Sequence, residues 1–391
     1  MTHHIMPTYA RLPVTFKEGK GCWLTDDQGN RYLDALSGIA VCGLGHAHPA
    51  VTEAICSQAS KLVHTSNLYS IDLQEKLADK LAALSGMDNL FFCNSGAEAN
   101  EAAIKIARLY GHNRSLDVPK IIVMENSFHG RTLSTLSATG NPKVQEGFTP
   151  LVEGFIRVPY NDVEAIKLAA QNHSDIVAIL VEPVQGESGV RIPKTDYLNQ
   201  LREICDQQQW LLMLDEVQTG IGRSGKFFAY QHNNILPDVC TLAKGLGNGV
   251  PIGACMAQGI ASTILTAGTH GSTFGGNPLV CSAALAVLET MESQSLPERA
   301  KLVGNKIVAN FKEKLADNKQ ILSIRNKGLM IGIELAKPCT ELVSIALENK
   351  LLINVASGNT IRLLPPLVIS DEEAVLLVEK LSLLIENFTK E

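Results

Sequence analysis

The chain contains no block of basic residues: 34 lysines and arginines are set against 40 acidic residues, for a formal net charge of −6. Nothing in that balance provides the electrostatic footprint of a nucleic-acid partner, so small-molecule chemistry is the stronger expectation. A disulfide framework is missing too. The nine cysteines (Cys22, Cys42, Cys56, Cys93, Cys205, Cys240, Cys255, Cys281 and Cys339) are odd in number, scattered and never spaced CxxC, which also argues against a thiolate zinc site. They read as buried thiols in a reducing cytoplasm. Long apolar runs are absent: MTHHIMPTYARLP has no apolar core, and aliphatic stretches such as Ile176–Val181 are far too short to cross a bilayer. Neither export nor membrane residence is expected. There is no repeat and no low-complexity tract either.

With 391 residues, 45% hydrophobic and 19% charged, the chain has room for two domains and a sizeable core. Residues 20–35, KGCWLTDDQGNRYLDA, alternate around DDQGN and read as a hairpin. From Phe91 onward short apolar runs (FFC, IIVM, IVAILVE, WLLMLDE, VCTLA) alternate with amphipathic helical stretches. That pattern predicts an α/β fold with a mostly parallel central sheet flanked by helices. Past residue 280 helical periodicity takes over, broken by GLMIGIEL and IRLLPPLVI, the strands of a smaller α+β domain. The expected division is an N-terminal segment 1–40, a large domain 41–280 and a C-terminal domain 281–391.

LAKGLGNG, residues 242–249, puts Lys244 after an apolar strand and before three glycines, at a carboxyl strand end where open α/β sheets hold ligands. Asp215 ends another apolar strand, WLLMLD, and a buried carboxylate there needs a partner. A loop lysine and a capping aspartate explain either residue alone. Together they are the two groups pyridoxal phosphate requires, an amine for its aldehyde and an anion for its ring nitrogen. CNSGAEANEAA, residues 93–103, runs from a strand through Ser95, Gly96 and Ala97 into a helix, and N–H groups at a helix start bind phosphate. GIGRSGK, residues 220–226, has P-loop spacing, but Phe227 replaces the magnesium-binding hydroxyl. GLGNG lacks dinucleotide-binding spacing. His46 and His48 in GHAHP lack further ligands and read as a turn.

Seven motifs in order, SGAEANEAA, SFHGRT, VEPVQGE, LDEVQTGIGRSG, LAKGLGNGVPIG, GSTFGGNP and IRLLPPLVI, resemble the class III (ω-amino acid) aminotransferases, fold type I pyridoxal phosphate enzymes, across nearly the whole chain. The resemblance implies that Lys244 binds the cofactor and shuttles a proton, and that Asp215 pairs with the ring nitrogen. It places Val217 and Phe128 on the two ring faces and Gln218 at the ring oxygen. Ser95, Gly96 and Ala97 would take the phosphate, with Thr273 reaching it from the neighbouring subunit of a homodimer. Arg131 and Arg362 are the carboxylate anchors, Glu187 the switch that covers Arg362 while the amine donor is bound, and Glu182 a support behind the site. Ile39, where ornithine-specific relatives carry tyrosine, suits an acylated donor, and Tyr9 would line the same pocket. Cys42 and Phe274 are local departures from the family pattern. The function implied is transfer of the δ-amino group of N²-acetyl-L-ornithine to 2-oxoglutarate. Succinylornithine, succinyl-diaminopimelate and 4-aminobutyrate are alternative donors; an aminomutase or a noncatalytic binding protein fits the motifs less well.

Overall fold

The computed structural model describes residues 4–390. The N-terminal strands are β1 (Phe16–Lys20), β2 (Trp23–Asp26) and β3 (Arg31–Asp34). The central strands are β4 (Asn89–Cys93), β5 (Lys120–Met124), β6 (Phe155–Val158), β7 (Ile176–Val181), β8 (Leu211–Asp215), β9 (Val239–Leu242) and β10 (Gly253–Ala257). β11 (Ile321–Lys327), β12 (Met330–Leu335), β13 (Leu351–Leu352), β14 (Asn354–Ala356) and β15 (Thr360–Leu363) follow.

The central sheet has the order β4-β10-β9-β8-β7-β5-β6. β6, β5, β7, β8 and β9 run parallel, while β10 is antiparallel to both β9 and β4. Strands buried on both faces must be apolar throughout; every residue of β7, β8, β9 and β10 is buried. Helix Gly96–Asn113 lies against the sheet through a stripe of small residues, Ala99, Ala102, Ala103 and Ala107, which lets it approach closely. Because β10 reverses direction between two strands that agree, β4, β9 and β8 all end at the same sheet edge. Ser95, Lys244 and Asp215 are delivered there.

The hairpin expected over residues 20–35 is β2 and β3, paired antiparallel, and β3 pairs in parallel with β13 from the far end of the chain. The sheet β11-β12-β15-β14 is antiparallel throughout and backed by helix Leu296–Lys314, against which helix Asp371–Lys390 packs. IRLLPPLVI is a strand only as far as Leu363: Pro365 and Pro366 have no N–H for a ladder. The sheet is less uniformly parallel than the apolar runs imply, since β10 does not follow from them.

Candidate functional site

A cavity of about 390 Å³ opens at this carboxyl edge. Ser95, Gly96, Ala97, Phe128, Arg131, Glu182, Glu187, Asp215, Val217, Gln218 and Lys244 all line it, residues drawn from widely separated parts of the sequence.

Asp215 is held by donors the sequence does not advertise. Its Oδ2 accepts Nδ2–H of Asn100 at 2.8 Å and lies 2.8 Å from Nδ1 of His129, and Oδ1 accepts the N–H of Val217 at 3.0 Å. Asn100 is fixed in turn: it donates to the His129 carbonyl at 2.8 Å and accepts Oγ1–H of Thr241 at 2.7 Å. These three contacts satisfy a carboxylate that burial alone would penalise. Asn100 carried one signal, a polar side chain in the apolar stripe of its helix; His129 and Thr241 had none beyond their motifs.

Lys244 opens the short 3₁₀ turn Lys244–Leu246 with φ +39°, a left-handed conformation unusual for lysine. Burial, assisted by Arg362, holds its amine below the ordinary lysine value, against the opposing pull of Glu187, Asp215 and Glu182. A lowered lysine pKa provides a free amine closer to neutral pH.

At the start of helix Gly96–Asn113, Ser95 Oγ accepts the N–H of Glu98 at 3.2 Å. That bond caps one donor and leaves the N–H groups of Gly96 and Ala97 facing the cavity edge without an intrahelical acceptor. Gly96 must be glycine: a Cβ there would lie 2.7 Å from both methyls of Val217.

Glu187 Oε1 accepts Nη1–H of Arg362 at 2.7 Å and Nε2–H of Gln218 at 3.4 Å. Arg362 is 1% exposed, and its Nε and Nη2 also donate to Asn354 Oδ1, its cross-strand neighbour on β14, at 3.1 and 2.8 Å. Burial by itself would raise the Glu187 carboxyl, but Arg362, Lys244 and Gln218 together outweigh it and keep the group below its ordinary value. Arg131 contrasts with Arg362. It is exposed at the cavity, 5.8 Å from the Phe128 ring centre, with no ion pair among the described residues. Glu182 accepts the N–H of Phe128 at 2.9 Å and of Gly186 at 3.2 Å, so it fixes the aromatic wall; burial pushes it up to about 7.

Three residues named from the sequence lie elsewhere. Thr273 is exposed and lines a separate recess with Asn94 and Ser272. Tyr9 is 76% exposed and does not line the cavity in this chain, because residues 4–15 precede the first paired strand and contribute nothing to a sheet. Ile39 is 37% exposed and absent from the lining, where its neighbour Val41 is present. Phe274 packs on His64 at 5.5 Å. Cys42 is half-buried beside the same turn as Ile39. His46 Nε2 is 2.8 Å from Asp34 Oδ2, and His48 precedes helix Pro49–Ala59. Residues 220–226 form turns, in which buried Arg223 donates to the carbonyls of Leu329 and Pro365 and ties the C-terminal sheet to the central body.

The residues present fit pyridoxal phosphate. An amine and a held carboxylate share one cavity, a helix start presents free N–H groups, and Gln218 Oε1 is buried at the cavity wall with no partner. Among the described residues no helix is long and apolar enough to cross a membrane.

The chain is similar to known proteins over nearly its whole length. The model of the class-III aminotransferase family matches residues 5–385. An acetylornithine aminotransferase of Nitrosomonas europaea is 59% identical over 385 residues, 98% of each chain. Among solved structures, acetylornithine aminotransferase from Elizabethkingia anophelis superposes with a TM-score of 0.88 at 36% identity, covering 98% of this chain and 96% of that one. Ornithine aminotransferase from Toxoplasma gondii, with pyridoxal phosphate in partial occupancy at its active site, gives 0.95 at 35% identity, covering 99% and 93%.

Proposed function

Because the chain belongs to the class-III aminotransferases, we propose that it moves the δ-amino group of N²-acetyl-L-ornithine to 2-oxoglutarate, giving N-acetyl-L-glutamate 5-semialdehyde and L-glutamate. The observation that carries this reading is the unequal state of two arginines: Arg131 lines the lysine-bearing cavity and is open, whereas Arg362 lies buried behind Glu187, which lines it. A donor with one free carboxylate needs one exposed cation, and a dicarboxylate acceptor needs two. Glu187 reconciles them by covering the second cation until the acceptor arrives.

The enzyme uses pyridoxal phosphate, which when bound supplies an electron sink for the donor carbon and carries the amino group between half-reactions. Lys244 anchors it through Nζ and, as a base of lowered pKa, moves the proton at the donor carbon. Asp215, held by Asn100, His129 and Val217, would pair with the ring nitrogen. Phe128 and Val217 would hold the two ring faces, Gln218 the ring oxygen, and Ser95, Gly96 and Ala97 the phosphate. Arg131 holds the donor's α-carboxylate and then the distal carboxylate of the acceptor.

The active unit is a homodimer in the cytoplasm, with Thr273 of each chain completing the phosphate site of the other. Its exposed position outside its own cavity supports that reading. Residues 41–280 make the cofactor-binding body, bracketed by segments 1–40 and 281–391.

The test is the visible absorption spectrum of the purified protein, before and after adding N²-acetyl-L-ornithine without a keto acid. Loss of the resting cofactor band and growth of the band of its amine form is the expected result. An unchanged band with this donor, but conversion by 4-aminobutyrate or succinylornithine, overturns the choice of substrate.

A further inference from the structure

Beside Lys244 the chain does something costly that the mechanism above leaves unexplained. Ser37, Gly38, Ile39 and Ala40 have φ values of 47°, 64°, 65° and 63°, four consecutive left-handed residues of which only one is glycine. For L-residues, and for a β-branched isoleucine above all, this conformation persists only where the surroundings impose it. The turn packs against Lys244–Leu246, and the residue that leaves it, Val41, lines the cavity.

Its restraints converge on one carboxylate. Asp34 Oδ1 accepts the N–H groups of Leu36 and Ser37, both at 2.8 Å, and Oδ2 is held 2.8 Å from His46 Nε2. His46 is itself seated by two backbone bonds exchanged with Gly21, at 3.0 and 2.9 Å. Gly19 leaves room for it, since a Cβ there would lie 2.6 Å from the His46 Cβ. At the other end of the turn, Ser37 Oγ donates to the Leu364 carbonyl at 2.6 Å, two residues beyond Arg362 on the same chain segment.

We propose that Asp34 and His46 are positioning residues for the amine donor: they clasp the left-handed turn Ser37–Ala40 so that Val41, the residue that leaves it, forms a fixed hydrocarbon wall beside Lys244. The inference rests on the functional reading above. In that reading both ends of the acceptor are gripped by guanidinium groups, whereas the neutral acyl end of the donor has no cation to hold it. Its placement depends on shape, and so on the wall. The clasp acts on donor selection and leaves cofactor and acceptor binding to other residues.

The experiment measures kcat/KM for each half-reaction separately in the cofactor-loaded protein, with loading checked by absorbance. For His46→Ala the donor value falls about tenfold while the value for 2-oxoglutarate changes by less than about twofold. His46→Gln, which keeps a donor toward Asp34, recovers most of the loss. Ala40→Gly added to His46→Ala recovers part of it, because glycine adopts φ near 63° without the clasp. If His46→Ala fails to fold, Asp34→Asn, which retains an acceptor for the two backbone bonds, gives the same selective loss in milder form. Equal losses in the two half-reactions, or an unchanged donor value, overturn the proposal. Should the wild-type protein ignore N²-acetyl-L-ornithine and use another ω-amine, the functional reading fails, and the same ratio measured with that amine still decides the clasp.

Discussion

A single charge decides how Arg362 behaves. Glu187 neutralises a guanidinium buried to 1% exposure, and an incoming second carboxylate must displace it. Glu187→Gln keeps the hydrogen bond through its Oε1 and removes the competing charge, so KM for 2-oxoglutarate is expected to fall several-fold, roughly 3 to 10 times, as steady-state kinetics with varied acceptor will show. His46 gives a prediction in pH. The hydrogen bond to Asp34, aided by Cys42 and opposed by burial, raises its pKa from 6.5 to about 9. A raised folded-state value means the contribution is fully present below pH 6.5 and is lost as pH climbs through 9. Urea midpoints of the wild type are therefore expected to fall across that window, and those of His46→Ala to fall less. At this scale Lys244 and Asp215 were legible because each ends an apolar strand, a position visible in sequence. His129 and Thr241 were not, and Asn100 showed only as a polar residue in an apolar helix stripe, since a loop, a neighbouring strand and a helix assemble this network around one carboxylate.

Elements meet where the helix Gly96–Asn113 begins against Val217. The absent Cβ at Gly96 is what lets the helix start approach, so Gly96→Ala pushes the free N–H groups off the phosphate position. Cofactor affinity is expected to drop by about tenfold or more in equilibrium titration, and Val217→Ala in the same chain to restore part of it by clearing the methyls. Alternating apolar runs and helices were enough to read the parallel core of the sheet, because doubly buried strands must be apolar. β10, GACMA, escaped notice: it is short, lacks β-branched residues and lies behind the glycines that follow Lys244. Nor does anything in Ser37, Ile39 and Ala40 announce a left-handed turn, as none of the three favours positive φ; only their surroundings produce it.

For the whole molecule the open question is which chain completes which site. Leu62, Val63, Leu68, Tyr69 and Phe274 are exposed near one another, and Asn67 Nδ2 donates to the carbonyls of Ser272 and Gly275, binding this apolar face to the Thr273 loop. If a second copy covers that face, Lys244→Ala and Thr273→Ala chains, each weak alone, are expected to complement. Mixed dimers then carry one intact site, and random reassociation gives roughly a quarter of wild-type specific activity. No recovery on mixing would place Thr273 at its own chain's cofactor. The motifs spell out one subunit's site well, but a residue that works across an interface looks in sequence like any loop threonine. The pairing of β3 with β13 also governs the order in which the protein comes into being. Tyr32 and Lys350, bonded across that junction, are 318 residues apart. At ribosomal speeds of about 5 to 20 residues per second, the N-terminal strands wait roughly 15 to 60 s for their partner. The last strand of the cofactor-binding sheet, β10, ends at Ala257, so that sheet is fully synthesised before the N-terminal strands meet their partner.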